Sequence, residues 1–172
     1  MKINRLSQSL AALALIILSP AKGYAAEPVL WETFENWKVY LSTTAGGDFD
    51  LCMATRTYHN EEMLVFYADA KTSALGLFIE DWKLDARDRY PVHLQFDGGP
   101  LIETVAIADE TKESVLFDLN LNQHIQALTE AAIMTLHTGA GALDYDLTGA
   151  EEAIKSAAIC AVNNAPPGSL EE

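Results

Sequence analysis

The stretch LDYDLTGAEEAIKSAAICA, Leu143 to Ala161, decides how this chain closes. Leu143, Tyr145 and Leu147 face one way and Asp144, Asp146 and Thr148 the other, the period-2 pattern of a half-buried strand. Thr148-Gly149-Ala150-Glu151 then has the spacing of a capping box, in which Thr148 bonds the Glu151 amide and Glu151 reaches back. Ala150, Ile154, Ala157, Ala158 and Ala161 form an apolar helical stripe, bordered by Cys160. Alanine lets such a helix sit close to a sheet, within reach of a sulfur bridge. The only other cysteine is Cys52, in the first third of the chain.

A Cys52–Cys160 disulfide is the reading that joins these points. Closing a loop of roughly 100 residues lowers the entropy of the unfolded chain by about 4–5 kcal/mol in the chain-entropy account. No Cys-x-x-Cys occurs and no histidine lies near either cysteine in sequence, so a redox pair or a metal site is the poorer reading. Around Cys52, the residues Phe49, Leu51 and Met53 share one strand face. Cys52, Asp50 and Ala54 take the other, which is the face the closing helix must approach.

The first 25 residues have the layout of a secretory signal peptide: Lys2 and Arg5, an uncharged run from Leu10 to Leu18, then Gly23-Tyr24-Ala25 as a cleavage site. The run is short for a membrane span. Removing those 25 residues, three of them basic, from a chain of 172 with 11 basic and 25 acidic residues leaves 147 residues at a net charge of −17. That size suits one domain, expected over 26–163, with a disordered tail over 164–172. The charge repels phosphate backbones and anionic lipid surfaces, which argues against nucleic acid and against membrane insertion after signal removal. It favours a basic partner.

Between the ends, short alternating or apolar runs with turn residues between them predict strands. They are Trp37 to Ser42, Phe49 to Ala54, Met63 to Ala68, Ala74 to Ile79, Val92 to Phe96, Ile102 to Ala108 and Val115 to Leu119. Asp81 to Arg89 reads as a charged loop. From Asn120 to His137, apolar residues at Leu121, Ile125, Leu128, Ala132, Ile133 and Leu136 predict a helix. Gly139 would follow its end and His137 would sit in its last turn. The fold class is therefore mainly β with α (α+β): a two-layer antiparallel β-sandwich with two helices in the C-terminal third.

Motifs that carry chemistry are few. Asp118-x-Asn120-x-Asn122 imitates a calcium loop, but Gln123 stands where glycine is needed and Thr129 where a bidentate Glu is needed. Asp144/Asp146 and Asp48/Asp50 place paired carboxylates on strand faces, where an ordinary solvated face gives the same pattern. His59, His93, His124 and His137 form no ligand spacing with one another or with the cysteines. No Gly-x-Ser-x-Gly elbow or glycine-rich phosphate loop occurs. No catalytic, cofactor or metal residue is assigned. Trp31 and Trp82 lie in polar surroundings and, with Asp144 and Asp146, make the candidate interaction surface.

The order of a signal peptide, Trp37-Lys38-Val39, Cys52, several short strands and a closing strand-helix ending in Cys160 resembles the invasion-associated locus B family of small exported proteins. Leu147-Thr148-Gly149-Ala150, followed by an alanine-rich helix and a cysteine, carries most of the likeness. The chain departs from that family's pattern at Tyr40 and Leu41, where a cysteine is expected, so four cysteines become two. The resemblance implies a periplasmic β-sandwich without known catalytic residues, associated with host interaction or envelope stress.

The expected function is a non-enzymatic periplasmic or secreted binding protein that captures a basic protein and needs no cofactor. One alternative is a small hydrolase using surface carboxylates such as Asp144 and Asp146. Another is a lipid or small-ligand carrier with an apolar cavity between the sheets.

Overall fold

The computed structural model describes residues 27–59, 61–79, 84–110 and 113–166. The signal-peptide region, Trp82 and the last six residues of the expected tail lie outside them. Among the described residues, ten strands and two helices follow in chain order. The first five strands are β1 (Val29–Phe34), β2 (Trp37–Thr43), β3 (Phe49–Thr57), β4 (Met63–Ala68) and β5 (Ser73–Phe78). Then come β6 (Arg89–Phe96), β7 (Ile102–Ala108), β8 (Ser114–Phe117), α1 (Leu121–Glu130), β9 (Ile133–Thr138), β10 (Gly141–Asp146) and α2 (Ala150–Asn164).

All ten strands belong to one antiparallel sheet in the order β1-β2-β3-β4-β5-β8-β7-β6-β9-β10. The first five form a meander because each connection is a short turn built from residues suited to it. Gly47, at φ 85°, donates its amide to the Thr44 carbonyl. Asp69 accepts the Lys71 and Thr72 amides at 2.7 Å each, an Asx turn. Asp97 and Gly98, both at positive φ, reverse the chain after β6. The mainly-β class with two helices is as expected, and the layers come from one continuous sheet that curls. Its two ends share a core: Trp37 and Val39 of β2, Leu94 of β6, Met134 and Leu136 of β9 and Tyr145 of β10 are all essentially buried in one cluster.

The predicted helix over 120–137 is corrected: only Leu121–Glu130 is helical, and Ile133–Thr138 is a strand between β6 and β10. Ile133 and Leu136, three apart, suit one helical face, but in the strand they fall on opposite faces, with Ile133 exposed and Met134 and Leu136 buried. The helix stops because the Asp97 carboxylate, 35 residues away in sequence, accepts the Ala132 amide at 3.0 Å and the Ile133 amide at 2.9 Å. Those amides are lost to a helix, and Met134 and Leu136 gain a buried strand face instead. His137 is consequently a strand residue, and Gly139 belongs to the β9–β10 turn. β1, exposed along nearly its whole length, is a strand the alternation argument did not identify.

α2 packs against β1 to β4 and against α1. Ala153 and Ala157 are fully buried, which brings the helix close to β3, and the Cys52–Cys160 bridge forms with Cα atoms 6.1 Å apart and a sequence separation of 108. Cys52 does lie on the helix-facing side with Ala54, as its register predicts. Two details differ from expectation. Ala158 is exposed, and the cap of α2 is Gly149 in the left-handed region, with no side-chain cap bond from Thr148. The Thr148 amide is instead held by Asp146 Oδ1 at 2.8 Å. The helix also runs one residue past the expected domain limit, to Asn164, whose side-chain amide donates to the Cys160 carbonyl at 2.9 Å.

Candidate functional site

Three surfaces compete for a functional role. The first is the seam where the curled sheet brings β3 to the end of β10. Arg56 is the next helix-facing residue of β3 after Cys52 and Ala54, and it is 7% exposed. Its guanidinium donates to Asp146 Oδ2 at 2.6 Å and to the Thr148 carbonyl at 2.9 Å. Trp37 Nε1 donates to the same carbonyl at 3.0 Å, and the Tyr58 hydroxyl donates to the Asp146 carbonyl at 2.8 Å. The Tyr58 and Tyr145 rings meet edge to face, with centroids 5.2 Å apart.

Electrostatics at this seam follow from burial. Hydrogen bonds from Thr148, through its hydroxyl and its amide, and then from Arg56, hold the Asp146 carboxyl below the usual carboxylate range. Burial pushes the Tyr58 hydroxyl well above its ordinary value, against the pull of Arg56. Burial also raises Tyr145, and the neighbouring Glu62 carboxylate raises it further. The Tyr145 hydroxyl nevertheless makes no hydrogen bond of good geometry among the described residues.

Asp144 and Asp146 were the paired carboxylates of the hydrolase alternative. The structure gives them separate structural partners: Asp144 accepts from the Thr135 hydroxyl at 2.7 Å, and Asp146 is held by Arg56 and Thr148. Neither is aimed with the other at a common point. Sheet register also brings together residues that sequence spacing kept apart. Glu103, His93 and His137 stand side by side across β7, β6 and β9. His137 Nε2 lies 3.1 Å from Gln95 Oε1, and His93 Nε2 lies 3.9 Å from Glu103 Oε1. Among the described residues no group of three or more such side chains converges to hold a metal.

The second surface is β1, one edge of the sheet. Val29, Leu30 and Trp31 are 62%, 54% and 43% exposed. A bulge between Leu30 and Glu32 inserts Trp31 as an extra residue against β2. Glu32 turns toward α2 and accepts a hydrogen bond from the Ser156 hydroxyl at 2.6 Å. Trp31 is thus placed on the surface as expected, whereas Trp82 lies outside the described residues.

The third surface was not visible in the sequence. The sheet face opposite α2 carries a cleft of about 710 Å³, floored by Tyr40 of β2, Met53 and Thr55 of β3, and Met63, Val65 and Tyr67 of β4. Tyr67 also lines a neighbouring cavity of about 380 Å³ with Leu116 of β8. The signal was present in part, since Tyr40, Met53 and Tyr67 alternate with core residues. An apolar residue on the second face of a strand reads equally well as buried under another layer. The helix-facing side is filled by fully buried side chains such as Trp37, Leu64 and Leu77, so both cavities lie on the outer face and not between layers.

Neither a family model, a curated protein nor a solved structure matches the chain. Among the described residues no helix is long and apolar enough to cross a membrane.

Proposed function

We propose that this is an exported, non-enzymatic binding protein that captures a basic protein partner, with strand β1 as the docking element. The observation that carries this reading is the bare edge of the sheet: β1 presents Val29, Leu30 and Trp31 to solvent beside Glu27 and Glu35. Natural edge strands are usually blunted by lysine, proline, a bulge or cover; β1, VLWETF, has a bulge but neither lysine nor proline, and Val29, Leu30 and Trp31 stay exposed. Main-chain addition of an extended segment supplies affinity, and exposed side chains supply selection. The acidic surface, 25 acidic against 11 basic residues in the whole chain, selects a basic segment and speeds its approach.

The Cys52–Cys160 bridge supports an oxidising compartment, and the signal-peptide pattern at the start of the chain points to the periplasm or beyond. The resemblance to the invasion-associated locus B family implies a periplasmic protein without known catalytic residues, associated with host interaction or envelope stress, which is compatible with a binding role.

Leu30→Lys and Trp31→Lys together test the reading on the disulfide-bonded protein, using a cationic muramidase and an acidic protein of equal size as probes. Capture of the cationic probe should be retained at low salt, weaken at high salt, and fall at least tenfold in the double variant. Capture indifferent to both salt and substitution would remove the proposal.

A further inference from the structure

Across β7, β6 and β9 the outer face carries Glu103, His93 and His137 in one row, and this stands independently of the strand-capture reading. His93 and His137 alternate with the buried Leu94 and Leu136, so both project from the face away from the core. They are direct register partners, and Glu103 is the register partner of His93 on its other side. Directly opposed residues have Cβ atoms about 4.5–5.5 Å apart. Two imidazoles at that separation can reach one ion, since nitrogens bound at about 2.0–2.1 Å lie about 3 Å from each other.

The hydrogen bonds decide which nitrogen of the neutral His137 ring is free. Gln95 Nε2 donates to the Gly99 carbonyl at 2.8 Å, which turns Gln95 Oε1 toward His137 Nε2, 3.1 Å away. An amide oxygen only accepts, so His137 Nε2 carries the proton and Nδ1 keeps its lone pair. Metal-ligating histidines have this arrangement, with one N–H held by a fixed acceptor and the other nitrogen offered to the ion. His93 Nε2 is 3.9 Å from Glu103 Oε1, too far for a hydrogen bond, and its side chain is 43% exposed, so the ring has room to turn toward His137.

The surroundings favour a cation. Asp144 is paired with Thr135, the next residue along this face of β9, and the whole chain carries a net charge of −14. Both cysteines are in the disulfide, so no thiolate is available to a metal. Imidazole nitrogen suits copper, nickel and zinc.

We infer that His93 and His137 chelate one divalent ion of the copper and zinc class, with the Glu103 carboxylate alongside and water completing the shell. The chelate needs the two imidazoles and no third converging side chain. Copper(II) binds more tightly than zinc(II) by the general order of divalent-metal affinity, and calcium and magnesium, which need several oxygen ligands, are disfavoured.

The test is titration of the mature, disulfide-bonded, chelator-treated protein with copper(II) and zinc(II), read by calorimetry and, for copper, by nitrogen hyperfine structure in electron paramagnetic resonance. One equivalent of each ion should bind, copper more tightly, and the melting temperature should rise with metal concentration. His93→Gln and His137→Gln should each weaken binding at least tenfold, with the melting temperature of the metal-free protein unchanged. The double variant should lose little more than either single one, because one imidazole alone makes no chelate. His59→Gln and His124→Gln should change nothing. Unchanged copper affinity in His93→Gln or His137→Gln, an equal loss in His59→Gln or His124→Gln, calcium bound in preference to zinc, or no bound metal at all would each overturn the inference.

Discussion

Arg56 and Asp146 are 90 residues apart in sequence and seven places apart in the strand order, yet their side chains meet at 2.6 Å. This contact marks where the curled sheet brings its C-terminal end back over β3. The guanidinium is buried while the carboxylate is 53% exposed, so the two partners contribute unequally. Arg56 is the more demanding member, because an unpaired buried cation keeps its desolvation cost. Arg56→Leu also strips a donor from the Thr148 carbonyl. It is expected to lower stability by about 1.5–3 kcal/mol, read from denaturant midpoints.

The same pair sets an acid limit. The folded-state pKa of Asp146 is lowered, so its contribution is present above the unfolded value, about 3.9, and is lost as pH falls through the folded value. Asp146→Asn should therefore flatten the stability profile of the wild type below about pH 4, leaving the neutral region offset but parallel. Parallel acid limbs in the two proteins would contradict this.

Loss of the Cys52–Cys160 bridge, by reduction or by double alanine substitution, should cost about 4–5 kcal/mol. Protein taken from an oxidising compartment should yield no alkylatable thiol by mass spectrometry under non-reducing conditions. Two free thiols would remove the clasp as an organising feature.

Gly149 has φ 84° at the start of α2, and a Cβ there would lie 3.3 Å from Trp37 Cδ1 and 3.5 Å from Glu35 Oε2. Gly149→Ala should destabilise by about 1–2 kcal/mol from the left-handed backbone alone, before the indole is displaced. A red-shift or intensity change in tryptophan emission should accompany the loss, since Trp37 is fully buried.

Burial raises the pKa of Tyr58, Tyr67 and Tyr145. A raised folded-state value gives stability that is complete below the unfolded pKa, about 10, and is lost as pH rises through the folded value. Ultraviolet titration should show three tyrosines ionising only as the protein unfolds in alkali. Tyr145→Phe removes a buried hydroxyl without a well-formed partner and should leave stability at neutral pH unchanged or slightly higher. A loss above about 1.5 kcal/mol would mean that the hydroxyl and Glu62 are hydrogen-bonded in solution.

Much of the fold was legible in local patterns. Met63–Ala68 and Ile102–Ala108 are strands with the limits their apolar runs predict, and the face of Cys52 follows from alternation about Met53. The segment after Glu130 was not legible, because the agent that ends α1 is Asp97, on a turn far away in sequence. β1 escaped notice because an exposed edge strand has no buried face and so no alternation to read. At the sites, Trp31 could be placed on the surface from its polar neighbours. The roles of Asp144 and Asp146 depended on Thr135 and Arg56, which no spacing rule connects to them.

What the sequence alone determined was the local vocabulary: short strands, a closing alanine helix, two cysteines able to meet, and a strongly acidic balance. These depend on side-chain periodicity and composition, which are properties of neighbours in the chain. Strand order and register lie beyond that vocabulary: that one sheet curls until Arg56 meets Asp146, that β1 forms an edge of the sheet, and that Asp97 ends α1 and leaves Ile133–Thr138 to pair with β6. Each of these depends on strand order and register, and that order is chosen by contacts among residues tens of positions apart.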